Sequence, residues 1–175
     1  AHGWSIDASG TGPLGSSAST VGLFTGPDAQ LNFTADIPNI QPFSPSINGP
    51  LSLVGTVSQS PVGWIIRTDL DGPYGMTAGI AGRFTGGKAA LQYTGRLPNL
   101  SVFVPQISGP LVLDGTARQA ENDWVINTDV RGPAGTTADV AGRVRANGTL
   151  DLTAVGTAPL GLTEPFLQPR SLQGM

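Results

Sequence analysis

The sequence predicts an all-β fold: a repeat array of antiparallel strands forming one elongated, lengthwise-curved sheet, taco-like or grooved, with a hydrophobic inner face. Three observations predict it. Trp4, Trp64 and Trp124 recur at a fixed period of 60 residues and open the same phrase, which closes on Gly12-Pro13, Gly72-Pro73 and Gly132-Pro133. Within each phrase apolar and polar residues alternate with period two, the signature of strands with one face hidden from water. Gly-Pro and Asn-Gly pairs punctuate the chain at joints short enough to make neighbouring strands antiparallel. A fixed period of this size marks units that cannot bury an apolar face alone and must stack.

The units run approximately 4–63, 64–123 and 124–175, the last truncated. The first strand of the second unit sets Trp64, Ile66, Thr68 and Leu70 against Ile65, Arg67, Asp69 and Asp71, and the third unit sets Trp124, Ile126, Thr128 and Val130 against Val125, Asn127, Asp129 and Arg131. A Gly-Pro-x-Gly turn follows, with proline where the turn requires its fixed φ. The second strand carries Ala78, Ile80, Gly82 and Phe84 on the apolar side, with Val140 as its counterpart in the third unit. Gly22, Gly82 and Gly142 fall mid-strand on that side, lowering the wall and allowing a bend. Next comes Gly86-Gly87, or Asn147-Gly148, and a third strand with Leu91 and Tyr93, then Leu150 and Leu152. One residue deleted near position 147 aligns Leu31 and Leu91 with Leu150, and Gly55 and Gly115 with Gly174. The fourth strand shows Leu51 and Leu53, repeated as Leu111 and Leu113.

Between the third and fourth strands lies a Pro-rich yet apolar strap, 37–50 and 97–110, bearing Ile37, Ile40, Phe43 and Ile47 and then Leu97, Leu100, Phe103 and Ile107. Its prolines exclude a long helix; it is expected to cross the apolar face or follow its rim. Twelve strands at about 4.8 Å give a sheet on the order of 58 Å long. Neither end carries an atypical capping unit, so the chain reads as a single fragment of a longer array.

Composition narrows the function. Charged residues make up 12%, the net charge is −3, and nine Lys and Arg are scattered, which leaves no clustered basic face for nucleic acid. No apolar run reaches the length of a membrane helix. Cysteine is absent and His2 is the one histidine, so no His-based triad and no His- or Cys-ligated zinc site are expected. Asp69 and Asp71 pair on one strand, but on the polar face, where solvation accounts for them better than glycoside hydrolysis does. With no nucleophile elbow, phosphate loop or calcium repeat, the chain is expected to be no enzyme and to hold no metal or cofactor.

The tail, Ala158-Pro159-Leu160 followed by an apolar hinge and Pro169-Arg170-Ser171-Leu172-Gln173-Gly174, resembles a motif of TamB proteins, and the repeat of alternating strands and Gly-Pro turns is similar to the wider AsmA-like group. The first two units depart from it, with Asn48-Gly49-Pro50-Leu51 and Ser108-Gly109-Pro110-Leu111 at that place. The resemblance implies a periplasmic, trough-forming segment of a protein anchored in the inner membrane of Gram-negative bacteria. It implies phospholipid as cargo, an outer-membrane barrel of the TamA type as partner through regions outside this chain, and client outer-membrane proteins.

Under that reading the lipid-facing residues are Trp64, Ile66, Leu70, Ile80, Phe84, Leu91, Tyr93, Leu111, Leu113, Trp124, Ile126, Val130, Val140, Leu150 and Leu152, with Leu97, Leu100, Phe103 and Ile107 as a rim strap. The alternatives are a sheet curled onto itself as a dry structural rod, or a non-enzymatic scaffold, adhesin-like array or client-strand chaperone whose free edges bind protein.

Overall fold

Every strand pairs antiparallel with the one before it. A computed structural model gives the structure of residues 3–26 and 29–159. Its strands are β1 (Ser5–Thr11), β2 (Ser17–Leu23), β3 (Gln30–Ile37), β4 (Leu51–Ser60), β5 (Gly63–Asp71), β6 (Thr77–Thr85), β7 (Lys88–Leu97), β8 (Leu111–Ala120), β9 (Asp123–Arg131), β10 (Thr137–Val144) and β11 (Leu150–Thr157). They form one open meander in sequence order, β1 and β11 at its two edges. The all-β expectation holds, and the only helical pieces among the described residues are single 3-10 turns. A twelfth strand would fall outside the described residues.

The register repeats every four strands. One row runs Ile6, Gly22, Leu31, Val57, Ile66, Gly82, Leu91, Ala117, Ile126, Gly142, Leu152 across all eleven strands. This row corrects the expected alignment of the third unit. Leu152, not Leu150, faces Gly142 as Leu91 faces Gly82. The physical reason is the turn. Thr85 pairs with Lys88 around the two-residue Gly86-Gly87 loop, whereas Arg145 N–H bonds Thr149 O at 2.9 Å around three residues. That loop takes Gly148 at φ 82°, with Asn147 Oδ1 accepting from Thr149 N–H at 3.0 Å. The third unit has therefore gained a residue here where a deletion was expected.

With a single layer, the apolar face is covered from within the sheet. A Cβ on Gly55 would land in the ring of Phe33 on β3, and one on Gly115 in the ring of Tyr93 on β7. Each aromatic thus lies flat across the glycine of the next strand, and the Tyr93 hydroxyl reaches beyond it to hydrogen-bond Thr128 on β9. Leu91 lies over Gly82 in the same way. Thr68, which pairs with Gly55, is the one buried polar residue among the described residues.

At Gly142 the reason for glycine is different. Its φ of 157° is closed to most side chains and a Cβ would strike the backbone carbonyl of Asp151.

All the straps and Gly-Pro turns sit along one rim. In the turn before β6, Gly72 N–H bonds Met76 O at 2.7 Å and Met76 N–H bonds Pro73 O at 3.1 Å. This geometry forces the residue after proline to a left-handed φ, 61° at Leu14 and Tyr74 and 53° at Ala134, a cost of about 1–2 kcal/mol each. The straps are closed by asparagine. Asn39 Oδ1 accepts from Gln41 and Gly49 N–H at 3.0 and 3.1 Å, and Asn99 Oδ1 accepts from Ser101 and Gly109 N–H, both at 3.1 Å. Successive units interlock at this rim, since Gly49 packs on Pro73 and Gly109 on Pro133.

Gly115→Val is expected to destabilise by about 1–3 kcal/mol by lifting Tyr93 off the sheet. In a Tyr93→Ala background the same change is expected to cost far less. Denaturant melts of the four-protein cycle check this, and simple additivity would refute the stacking.

Candidate functional site

The feature with functional content is the apolar face. Alternation carries it along each strand and register carries it from strand to strand. Trp64 and Phe84 face each other, as do Trp124 and Val144, with Leu150 beyond. Ile66, Leu91, Ile126 and Leu152 occupy the glycine-spaced row described above. Ile80 and Tyr93 pair in the row of Thr68, Gly115, Thr128 and Val140. Leu70, Leu113 and Val130 share a fourth row, and Leu111 pairs with Leu97. The fifteen residues named from the sequence thus lie on one face.

That face is not sealed. No side chain in the described residues is both large and fully buried, and Ile80, at mid-strand and mid-sheet, is 42% exposed. Contiguous exposed apolar surface is the kind of surface at which proteins bind partners or ligands. Among the described residues β1 and β11 do not pair with each other, so the sheet does not close end to end.

One part of the face is recessed and almost wholly apolar. A cleft of about 320 Å³ opens where the second strap meets the sheet, lined by Leu70, Met76, Ala78 and Leu113 and by the strap's Leu97, Leu100 and Phe103. Leu97 is its buried anchor and Ile107 is half-buried, while Phe103, 38% exposed, stands at its mouth. In the first strap Ile37, Ile40 and Ile47 are half-buried and Phe43 points to solvent.

Sequence reasoning missed two residues here. Met76 lines the cleft, and Tyr74 joins the straps: its hydroxyl accepts from Asn48 N–H at 3.3 Å, and its ring meets Phe103 edge-on at 6.0 Å and 88°. The signal was the variable position of Gly-Pro-x-Gly, filled by an aromatic only in the second unit.

No protein-family model, curated protein or solved structure matches the chain. The assignment therefore rests on the two faces.

The opposite face is polar and holds its charge in rows. Asp114, Asp129 and Asp139 lie side by side on β8, β9 and β10, and Arg83, Arg118 and Arg143 alternate with Ala90 and Val125 in another row. Arg131 meets Asp114 at 3.6 Å, an exposed pair of little energetic weight. Asp69 and Asp71 stand exposed on this face. Among the described residues no group of His, Asp and Glu is arranged to hold a metal, and no helix is long and apolar enough to cross a membrane.

Ile80→Arg is expected to cost under about 1.5 kcal/mol, because an open face lets the guanidinium reach water while its stem stays on the sheet. Ile126→Arg, at a half-buried position, is expected to cost more. Thermal unfolding followed by circular dichroism checks both. Loss of the folded state in Ile80→Arg would mean that the face is covered in solution.

Proposed function

We propose that this chain is a segment of a hydrophobic conduit that shields phospholipid acyl chains as they pass between inner and outer membrane, working without catalysis. The observation that supports it is the continuity of the apolar rows across eleven strands with no second layer over them, together with the apolar cleft under the second strap. The physical need is large. About 30 methylenes in a phospholipid's two tails, at about 0.8 kcal/mol each, cost roughly 24 kcal/mol to hold in water. A continuous apolar path lowers that barrier at every step, and the polar face keeps the segment in solution.

The tail's resemblance to TamB proteins supports the same reading, although residues 160–175 lie outside the described structure. On this reading the chain sits in the periplasm as part of a protein anchored in the inner membrane. An outer-membrane barrel of the TamA type and client outer-membrane proteins meet it through regions beyond this segment. The second reading is a non-enzymatic scaffold that binds protein strands along its sheet edges.

A photo-crosslinking residue at position 113, inside the cleft, and at 103, at its mouth, tests the assignment in cells. Phospholipid adducts at 113 are expected, with weaker ones at 103, and protein purified gently is expected to carry phospholipid in native mass spectrometry. Adducts with protein alone at both positions would overturn the conduit in favour of the scaffold.

A further inference from the structure

The polar face carries a cluster of charge that the 60-residue repeat does not account for. Arg67 on β5, Arg83 on β6 and Arg118 on β8 line a recess of about 390 Å³ whose floor includes Ala81 and Ala90. Ala90 separates Arg83 from Arg118 in one cross-strand row, and Ala81 pairs with Arg67 in the next. At about 4.8 Å per strand, Arg83 and Arg118 stand roughly 10 Å apart at the backbone, within reach of a common point above the alanine between them. No carboxylate lines the recess, and its uncharged polar side chains, Gln92 and Thr116, are able to donate. The ion pairs among the described residues join Arg131 to Asp114 and Arg145 to Asp151, and neither involves these three arginines.

The other units show what the same positions do elsewhere. In the first unit Asp7, Leu23 and Ser58 stand where the second has Arg67, Arg83 and Arg118. The same strands pair there without a cation, so the fold does not require the arginines. In the third unit Arg143 takes the place of Arg83, and Asp151 takes the place of Ala90. Asp151 faces Arg143 across the strands and meets Arg145 at 3.8 Å. There the protein supplies its own anion among arginines. At the matching place the second unit has only a methyl group, with three arginines around it.

We propose that this recess is a binding site for one phosphate group, seated above Ala90 where the third unit holds a carboxylate. Guanidinium is always charged and presents paired N–H groups that match two phosphate oxygens at once. Three of them offset a phosphate dianion and leave Gln92 and Thr116 to donate to what remains. A long polyanion is disfavoured. Asp69 and Asp114 lie on the same face, two residues beyond Arg67 and Thr116, and repel any chain of phosphates laid along the strands. The site therefore selects a single compact group, common to soluble phosphate esters and to phospholipid headgroups. It lies on the side opposite the apolar rows and holds whether or not those rows carry lipid.

The arginine Nε–H signals of the full chain, followed by NMR, test the site. Sodium phosphate replaces sodium chloride at constant ionic strength, which holds general screening fixed. Arg67, Arg83 and Arg118 are expected to move together on one saturable curve while Arg96 and Arg143 stay still. Arg83→Gln is expected to weaken phosphate at least about tenfold, the loss of one charge-assisted contact. Ala90→Asp installs the carboxylate of the third unit, and is expected to abolish binding with circular dichroism unchanged. Sedimentation with phosphatidylcholine vesicles containing phosphatidic acid separates the two sources. Sedimentation that Ala90→Asp removes assigns a lipid headgroup, and phosphate saturation without sedimentation assigns a soluble phosphate compound. A drift of all the arginines without saturation, or binding that survives either substitution in a folded protein, would overturn the proposal.

Discussion

A sheet of one layer has no opposite layer to cover its apolar side, and the rest of this structure follows from how that need is met. Cover comes sideways. Tyr93 lies over Gly115, Phe33 over Gly55 and Leu91 over Gly82, so a large side chain on one strand requires an empty position on its neighbour. That pairing of large with absent recurs with the four-strand, 60-residue period: Phe33 over Gly55 is repeated as Tyr93 over Gly115. It also explains why the face stays partly open: side chains lying flat shield the backbone and leave their own upper surface to whatever lies above.

The straps and turns answer a second demand, the fixing of strand ends along one rim. Asparagine closes each strap and the Gly-Pro of one strap packs on the proline of the next turn. Tyr74, in the left-handed conformation that this turn imposes in all three units, ties both straps together. The apolar cleft occurs where this rim meets the sheet, with Met76, Leu100 and Phe103 of the turn and strap set against Leu70, Ala78 and Leu113 of the strands.

Much of the fold was legible because side-chain direction along a strand depends only on parity. The fifteen residues assigned to one face needed nothing beyond the period-two pattern, and all fall on that face. The same fact hid an error. Leu150 and Leu152 differ by two, so either satisfies the pattern, and only the pairing of Leu152 with Gly142 shows which is equivalent to Leu91. The Asn147-Gly148 loop was recognised as a turn, but its length is decided by hydrogen bonds that periodicity does not encode. Met76 and Tyr74 escaped for a related reason: in a turn there is no alternation to read. Asn39 and Asn99 were visible as markers of the repeat, yet their role lies in two backbone donors ten and two residues away.

The meander order has a consequence for how the molecule comes into being. Every strand bonds only to its neighbours in sequence, and the longest excursion between two partners is a strap. Each pairing therefore closes a short loop, with a small entropy cost that does not grow as the chain lengthens. Such a chain can assemble from one end, each new hairpin zipping onto a sheet already formed, with no step that waits for the far terminus. Folding and emergence from a narrow channel can then proceed together, one strand at a time.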